Sequence, residues 1–486
     1  MTDKPAVVVV GGGIAGLAAA LALGERGHRV QVLERSASPP EGPAALAGER
    51  WLRSSVPQAE HPHMLTSVGV GVLRERAPAL WHDVLAAGAV PLDLLAALPP
   101  EATHREPEPG DEALVALACR RKTLEVLLFR RAAAQPTVRV RHGVTVRGLA
   151  IDAERRVTGV LLDDGSRIDA DVVLDATGRR GAGRDWLAVA GIELDADQVA
   201  PSGFRGFSRF YQLNGRDWPG PLNRGNAAGV VADHYAAVAH PGDNGTFSII
   251  LAVLPEDAAM RDLRHEAVFT AAARATAITA PWMADGVAEP ITPVRAINCP
   301  PNTLRALAVT DRPPVAGLYP VGDAACVTDP LYGRGMSLAL AHAYALADLL
   351  RTRPRVDEGQ ARAAALLADR LFRPWYQQAS ADDAARIALW RSVVHGTPVE
   401  VVERVDGRPA VTEISAAASV DGLVWRGLIR SFMGLTPPED VFDDAEFRDR
   451  VRRARPPHLP GVPALDRDSL LHTVRTALAG ELIHEH

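Results

Sequence analysis

The stretch that most constrains this chain lies near its start, where residues 6–10 run as Ala-Val-Val-Val-Val into Gly11, Gly13 and Gly16. A β-branched run without a polar side chain reads as a strand covered on both faces. Residues 14–26 read as a helix and residues 28–33 as the next strand, closed by Glu34. Strand, glycine turn, helix and strand in that order make a parallel βαβ unit. Each glycine is there for a steric reason. Gly11 permits the tight turn, Gly13 lets a pyrophosphate approach the backbone, and Gly16 allows close packing of helix on sheet. Ala20 extends that small face. The unpaired N–H groups of the helix start then bind phosphate, and Glu34 accepts from ribose hydroxyls. The unit therefore predicts a bound dinucleotide. It does not separate NAD from FAD.

Further along, residues 121–134 read as a helix, and residues 157–162 and 167–174 as strands joined by the Asp163-Asp164-Gly165 turn. From residue 204 the pattern changes: residues 204–213, 227–239 and 246–254 read as antiparallel strands between glycine- and asparagine-rich turns, a second domain inserted into the first. Residues 258–280 return to helix. After a strand entering Gly322 and Asp323, residues 335–351, 360–376, 382–395 and 415–433 read as helices.

Composition narrows the function classes. With 486 residues and 47% hydrophobic content the chain can fill several cores, and a net charge of −6 gives no reason to expect nucleic acid. Cys119, Cys299 and Cys326 are widely spaced and odd in number, so neither a disulfide framework nor a zinc motif is expected. His61 and His63 lack a nearby third ligand, so no metal is expected. The leader lacks the pattern of a signal peptide, and no uncharged apolar run reaches membrane-spanning length. A cytoplasmic enzyme without a transmembrane segment is the expectation. Gly-x-Ser-x-Gly and Gly-Lys-Ser/Thr are both missing, which removes the usual hydrolase and P-loop readings.

Val321-Gly322-Asp323-Ala324-Ala325, followed by Pro330, Gly333, Gly335 and a small-residue helix, resembles the second FAD fingerprint of the flavin monooxygenase superfamily. That superfamily includes p-hydroxybenzoate hydroxylase-like enzymes and squalene-epoxidase-like bacterial flavoproteins. The resemblance implies that Asp323 contacts the ribityl or pyrophosphate part of FAD. It also implies that the loop bearing Pro330, Gly333 and Gly335 passes beside the isoalloxazine ring, where glycines leave room for a flat plane. Residues 50–63 are similar to the arginine-containing loop of the squalene-epoxidase-like proteins, with Arg53 as the FAD contact and Arg50 able to take the same part. Arg121-Lys122-Thr123-Leu124 resembles their Arg-x-x-Leu helix, whose arginine reaches FAD phosphate. Asp175-Ala176-Thr177-Gly178 resembles the middle fingerprint in a shortened form. The likeness spans residues 5 to about 350.

The fold implied is α/β: a Rossmann-like three-layer FAD-binding fold with an inserted, mostly antiparallel β substrate domain and a C-terminal helical region. The expected boundaries are 1–203 and 301–355 for the FAD domain, 204–300 for the substrate domain and 356–486 for the helical region. The activity implied is a flavin-dependent monooxygenase that uses an FAD C4a-hydroperoxide to hydroxylate or epoxidise an apolar aromatic, polyketide or alkene substrate. Its co-substrate is O2, and NADPH or NADH is the reductant, directly or through a separate flavin reductase. An FAD-dependent reductase of an unsaturated lipid or polyketide, and a flavin-binding scaffold without turnover, are the alternatives. A halogenase is disfavoured because the two lysines, Lys4 and Lys122, are badly placed for its chemistry and its Trp-x-Trp-x-Ile-Pro stretch is missing. Candidate groups near the reacting centre are His61, His63 and Tyr332. Arg209, Tyr211, His234 and Tyr235, on strands of the inserted domain, are candidates for substrate contact.

Overall fold

The computed structural model describes residues 4–399, 408–455 and 464–484. The first three residues of the leader, and parts of the tail assigned above to the helical region, lie outside the described residues. Strand β1 (Val7–Val10), helix α1 (Ile14–Glu25) and strand β2 (Val30–Glu34) form the opening unit. Helix α2 (Arg121–Ala133) and strands β3 (Val138–His142) and β4 (Val172–Asp175) follow. The parallel sheet runs Leu318–Pro320, β4, β1, β2, β3. Alternation along β1 explains its uniform burial. Val7 and Val9 pack with α1 and α2, while Val8 and Val10 pack with a three-stranded antiparallel sheet on the other side. That makes three layers. Residues 167–174 are two strands rather than one: Arg167–Asp169 stays in the antiparallel layer, and the chain enters the parallel sheet where Asp171 and Val172 both donate to the Ala6 carbonyl.

Register decides where a ligand can sit. Val10 pairs with Leu33 on one side and Asp175 on the other, and Pro320 pairs with Asp175. The turn at Gly11, Glu34, the loop after Asp175 and the segment 321–323 therefore meet at one edge, outside the carboxyl ends of the strands, where open α/β sheets bind ligands.

The inserted sheet contains β5 (Arg205–Leu213), β6 (Ala228–Val231), β7 (Tyr235–Pro241), β8 (Thr246–Val253), β9 (Ala288–Pro290) and β10 (Arg295–Asn298). Its order is β6-β7-β8-β5-β9, with β10 also on β5, and every pairing is antiparallel. Residues 227–239, read from sequence as one strand, are a hairpin: the Ala232 N–H donates to the Tyr235 carbonyl and reverses the chain at Asp233 and His234.

Helix α3 (Gly335–Thr352) packs on α1, and α4 (Glu358–His395) is a single helix with Pro374 inside it, where the sequence suggested two. Asp382 and Asp383 look like a helix start, yet they turn inward as acceptors: Asp383 takes Asn302 and Arg386, and Asp382 takes the Tyr332 hydroxyl. Residues 258–280 and 415–433 are conversely broken, the first by extended backbone at His265 and the second at Asp421. The Asp421 carboxylate caps helix α5 (Gly422–Phe432) by accepting from Leu423 and Val424. Leu470 and Val474 of helix α6 (Arg467–His484) pack under the inserted sheet. No helix among the described residues is long and apolar enough to cross a membrane.

Candidate active site

One cavity of about 430 Å³ runs from the glycine turn after β1 to the inserted sheet. Its three motif glycines differ in what they do. Gly11 has φ +113°, and a Cβ there would stand 2.3 Å from the Ala176 carbonyl oxygen; a Cβ on Gly16 would stand 1.9 Å from that of Gly11. These two hold the turn against the sheet. A Cβ on Gly13 would meet only Arg53 Nη2, at 3.8 Å, so Gly13 presents bare backbone to the cavity. Helix α1 begins beside it, its first hydrogen bond running from the Leu17 N–H to the Gly13 carbonyl. The N–H groups of the turn before Leu17 are left for an anion.

A buried chain of charge lines the floor. Glu34 accepts from the Gly12 N–H at 2.7 Å and the Ser36 N–H at 2.8 Å, and Arg53 Nη1 lies 3.7 Å away. Burial works against its ionisation, but Arg53 and these donors outweigh it and hold the carboxyl below its usual range. Arg53 also pairs with Glu125 at 2.5 Å, stacks on Trp51 and donates to the Gly12 carbonyl. Glu125, 0% exposed, accepts in turn from Arg121. Arg121 Nη1 approaches His63 Nε2 at 3.4 Å, while His63 Nδ1 donates to the His61 carbonyl at 2.9 Å. Both ring nitrogens of His63 are thereby engaged. Burial first, then the Arg121 charge, push its pKa down to about 3, and burial pushes His61 down to about 4. Both imidazoles are neutral near pH 7. Both histidines, candidates from the sequence for groups near the reacting centre, line the cavity, with His61 Nδ1 2.9 Å from Ser208 Oγ.

The second glycine region closes the other side. Asp329 accepts from the Leu331 N–H, Pro330 starts a single 3-10 turn, and Gly333 ends it at φ +65°. Arg386 bridges Asp329 at 2.9 Å and Asp383 at 2.8 Å, fastening the loop to α4. Burial, and then the neighbouring Asp383 charge, raise the Asp329 carboxyl well above the usual range. Pro330, Gly333, Gly335 and Asp323 all line the cavity. A Cβ on Gly335 would meet only Asp323 Oδ1, at 3.9 Å, so this backbone too faces open space. Burial raises the Asp323 carboxyl, against the pull of Arg121 and Arg179.

Five candidates fall away from the cavity. Arg209, Tyr211 and Tyr235 occupy the opposite parity of their strands: Tyr211 stacks on Phe247, Tyr235 packs in the same core, and Arg209 pairs with Glu266. His234 sits in the β6–β7 turn, bonded to Asp233. Tyr332 turns away from the cavity into the protein, its hydroxyl donating to Asp382 and its ring stacked on the buried Arg334. The side chains that do face the cavity from the sheet are Val238, His240, Ile250 and Ile297, with Phe204 beside them. Sequence reading missed these. The one available signal was the parity set by the large Val238 and His240 against the small Ala237 and Ala239.

The donor set suits a dinucleotide. Arg53 Nε and Nη1 are buried with no hydrogen-bond partner, next to the bare Gly13 backbone, and each Glu34 oxygen retains acceptor capacity. Residues 6–97 match the family model described as FAD dependent oxidoreductase. Protein Rv3254 of Mycobacterium tuberculosis (strain ATCC 25618 / H37Rv) is 28% identical over 395 residues, 73% of this chain and 75% of that protein. The FAD-dependent monooxygenase atnJ of an Arthrinium species is 27% identical over 181 residues, 35% of either chain. The chain belongs to the FAD-dependent monooxygenase/oxidoreductase superfamily. The fold of this flavoprotein is also that of PqsL from Pseudomonas aeruginosa, with TM-score 0.58 and 19% identity over 80% of this chain and 97% of that one. FAD is the cofactor that membership brings, and the cavity supplies the donors and the space it requires.

Proposed function

We propose that the protein is a flavin-dependent monooxygenase that inserts one atom of O2 into an apolar aromatic, polyketide or alkene substrate. The observation that carries this reading is the continuity of the cavity: the same space is lined by Gly13 and Glu34 and by Val238, Ile250 and Ile297 of the inserted sheet. Gly13 and the start of α1 would hold the pyrophosphate, Glu34 the ribose, and Arg53 and Arg121 the anionic oxygens. Asp323 would take the ribityl or pyrophosphate region, and the Pro330, Gly333 and Gly335 backbone the ring. When bound and reduced, by NADPH or NADH directly or through a separate flavin reductase, FAD supplies the electrons that activate O2.

The chain's own part is exclusion, orientation and control of protons. Aliphatic side chains of β7, β8 and β10 keep water from the reacting end and orient an apolar skeleton. The neutral His61 and His63 deny that end a mobile proton near pH 7, and His63 fixes Arg121 by accepting from it. Neither lysine enters the cavity: Lys122 pairs with Glu60, and Lys4 bonds the Arg26 carbonyl. The partition of residues 1–203 and 301–355 to cofactor, and 204–300 to substrate, follows from the same reading.

The test is a turnover screen of FAD-loaded protein with NADH, NADPH and an added flavin reductase against aromatic polyketides and alkenes, in air and without oxygen. Product formed only in air, with O2 consumed, is the expected result. Saturation of a double bond without oxygen would replace this reading with a reductase, and bound flavin that no reductant reduces would replace it with a scaffold.

A further inference from the structure

Three histidines line the cavity, and they differ in what they have left to offer. His61 Nδ1 meets Ser208 Oγ, and both ring nitrogens of His63 are taken, by Arg121 and by the His61 carbonyl. His240 is the exception. Among the described residues neither of its ring nitrogens has a hydrogen-bond partner. Its Nδ1 is buried, so Nε2 is the nitrogen left open to a ligand.

Its position follows from β7. Residues 238 and 240 share one face of that strand, with Val238 opposite Ile250 and His240 opposite Ser248 across the sheet. Of the strand side chains that reach the cavity, Val238, Ile250 and Ile297 are aliphatic, so His240 alone brings polar atoms. It stands near enough to His63 for its charge, when present, to disfavour protonation there. Burial, and then the Arg224 charge, push the His240 pKa down to about 4, which leaves a neutral ring near pH 7. When an apolar skeleton fills this space and displaces water, Nε2 loses its hydrogen bond unless the ligand supplies one. A neutral imidazole has one donor and one acceptor nitrogen, and a hydroxyl both donates and accepts. A hydroxyl therefore meets Nε2 in either tautomer, whereas a carbonyl or an ether meets it in only one. A neutral ring balances no charge, so the group it receives is uncharged.

We propose that His240 Nε2 holds one uncharged hydroxyl of the substrate, phenolic or enolic, and so orients its apolar skeleton in the cavity. This rests on the reading of the sheet-lined part of the cavity as the substrate site. His240 is a specificity-determining residue, and it selects skeletons that carry a hydroxyl over plain hydrocarbons of the same shape.

The experiment titrates FAD-loaded protein by calorimetry, after FAD content has been measured, with 2-naphthol and with 2-methylnaphthalene, which has nearly the same shape and no hydrogen-bonding group. The ratio of the two affinities reads the hydroxyl contact apart from the apolar burial that both ligands share. His240→Leu should lower the wild-type ratio about tenfold. It should keep its FAD, and melt at an unchanged or higher temperature without ligand because an unpartnered polar ring has been removed. His240→Gln, whose amide can replace Nε2 as donor or acceptor, should restore most of the ratio. A merely structural histidine would move both affinities together and leave the ratio unchanged in His240→Leu, which would overturn the proposal. A ratio in His240→Gln no better than in His240→Leu would overturn it too, and loss of FAD from both variants would place His240 in the cofactor site and do the same. Ile250→Trp separates these failures from failure of the substrate-site reading, because filling the sheet-lined space should block both ligands. Binding that survives Ile250→Trp in FAD-loaded protein, or a wild type that binds neither ligand, would overturn that reading and the proposal with it.

Discussion

Replacing Gly13 with alanine separates room for the fold from room for the cofactor. The new methyl carbon would have only Arg53 Nη2 near it, at 3.8 Å, and Gly13 has extended backbone (φ −89°, ψ −172°) that any residue adopts. Alanine is a poorer N-cap than glycine by about 1 kcal/mol. The smaller entropy of its unfolded chain returns about 0.4–1 kcal/mol. The ligand-free fold should therefore change by less than about 1 kcal/mol, which is about 1 °C for a chain whose unfolding entropy is about 1 kcal/mol/K. Cofactor affinity should change far more. A methyl group on the bare backbone pushes pyrophosphate off the free N–H groups ahead of Leu17, and losing two charge-assisted hydrogen bonds at about 1.5–3 kcal/mol each weakens binding by more than about 100-fold. Thermal melting of ligand-free protein and fluorescence titration with FAD read the two effects separately. Gly16→Ala is the control: with its Cβ 1.9 Å from the Gly11 oxygen, it should compromise the fold itself. Unchanged FAD affinity in Gly13→Ala, or an unfolded Gly13→Ala, would refute the reasoning.

Other perturbations bear on the charge network. Arg53→Met leaves the buried Glu125 with Arg121 alone, and should cost about 3 kcal/mol in a denaturant melt besides weakening FAD; Arg50→Met, at an exposed helix end, should do neither. Arg386→Met strips the cation from Asp329 and Asp383 and should destabilise by about 3–5 kcal/mol, with faster proteolysis near residues 330–335 as the second readout. His61 titrates near 4 when folded and near 6.5 when unfolded, so the unfolded chain takes the proton first and stability falls as pH drops from 6.5 towards 4. At pH 5 this amounts to about 2 kcal/mol, and His61→Asn should lose that much less between pH 7 and pH 5 in parallel urea melts; equal losses would contradict it.

Local features were legible in the sequence because neighbours along the chain produce them. The βαβ unit, its glycines and Glu34 stand within one span, and the parity of β1 needs only both-sided burial. Partners far apart in sequence were not legible: nothing near Arg53 names Glu125, and nothing near Pro374 shows that Asp382 and Asp383 face Tyr332 and Arg386. The cavity face of the inserted sheet was hidden for another reason. Both faces of β7 and β8 are covered, so the polar–apolar alternation that marks a half-exposed strand is missing. Arg209, Tyr211 and Tyr235 drew attention as polar groups on strands, whereas Val238 and Ile250, which line the cavity, look like ordinary core. Tyr332 misled because a left-handed glycine follows it and the turn carries its ring away from the cavity to the buried Arg334.

The most direct test of the monooxygenase assignment is the mass of the product formed by FAD-loaded protein under heavy-isotope O2 in ordinary water. The account predicts that one heavy oxygen atom appears in each product molecule and none is acquired from heavy-isotope water. A product that carries no label from O2, or that forms equally without it, would contradict the assignment.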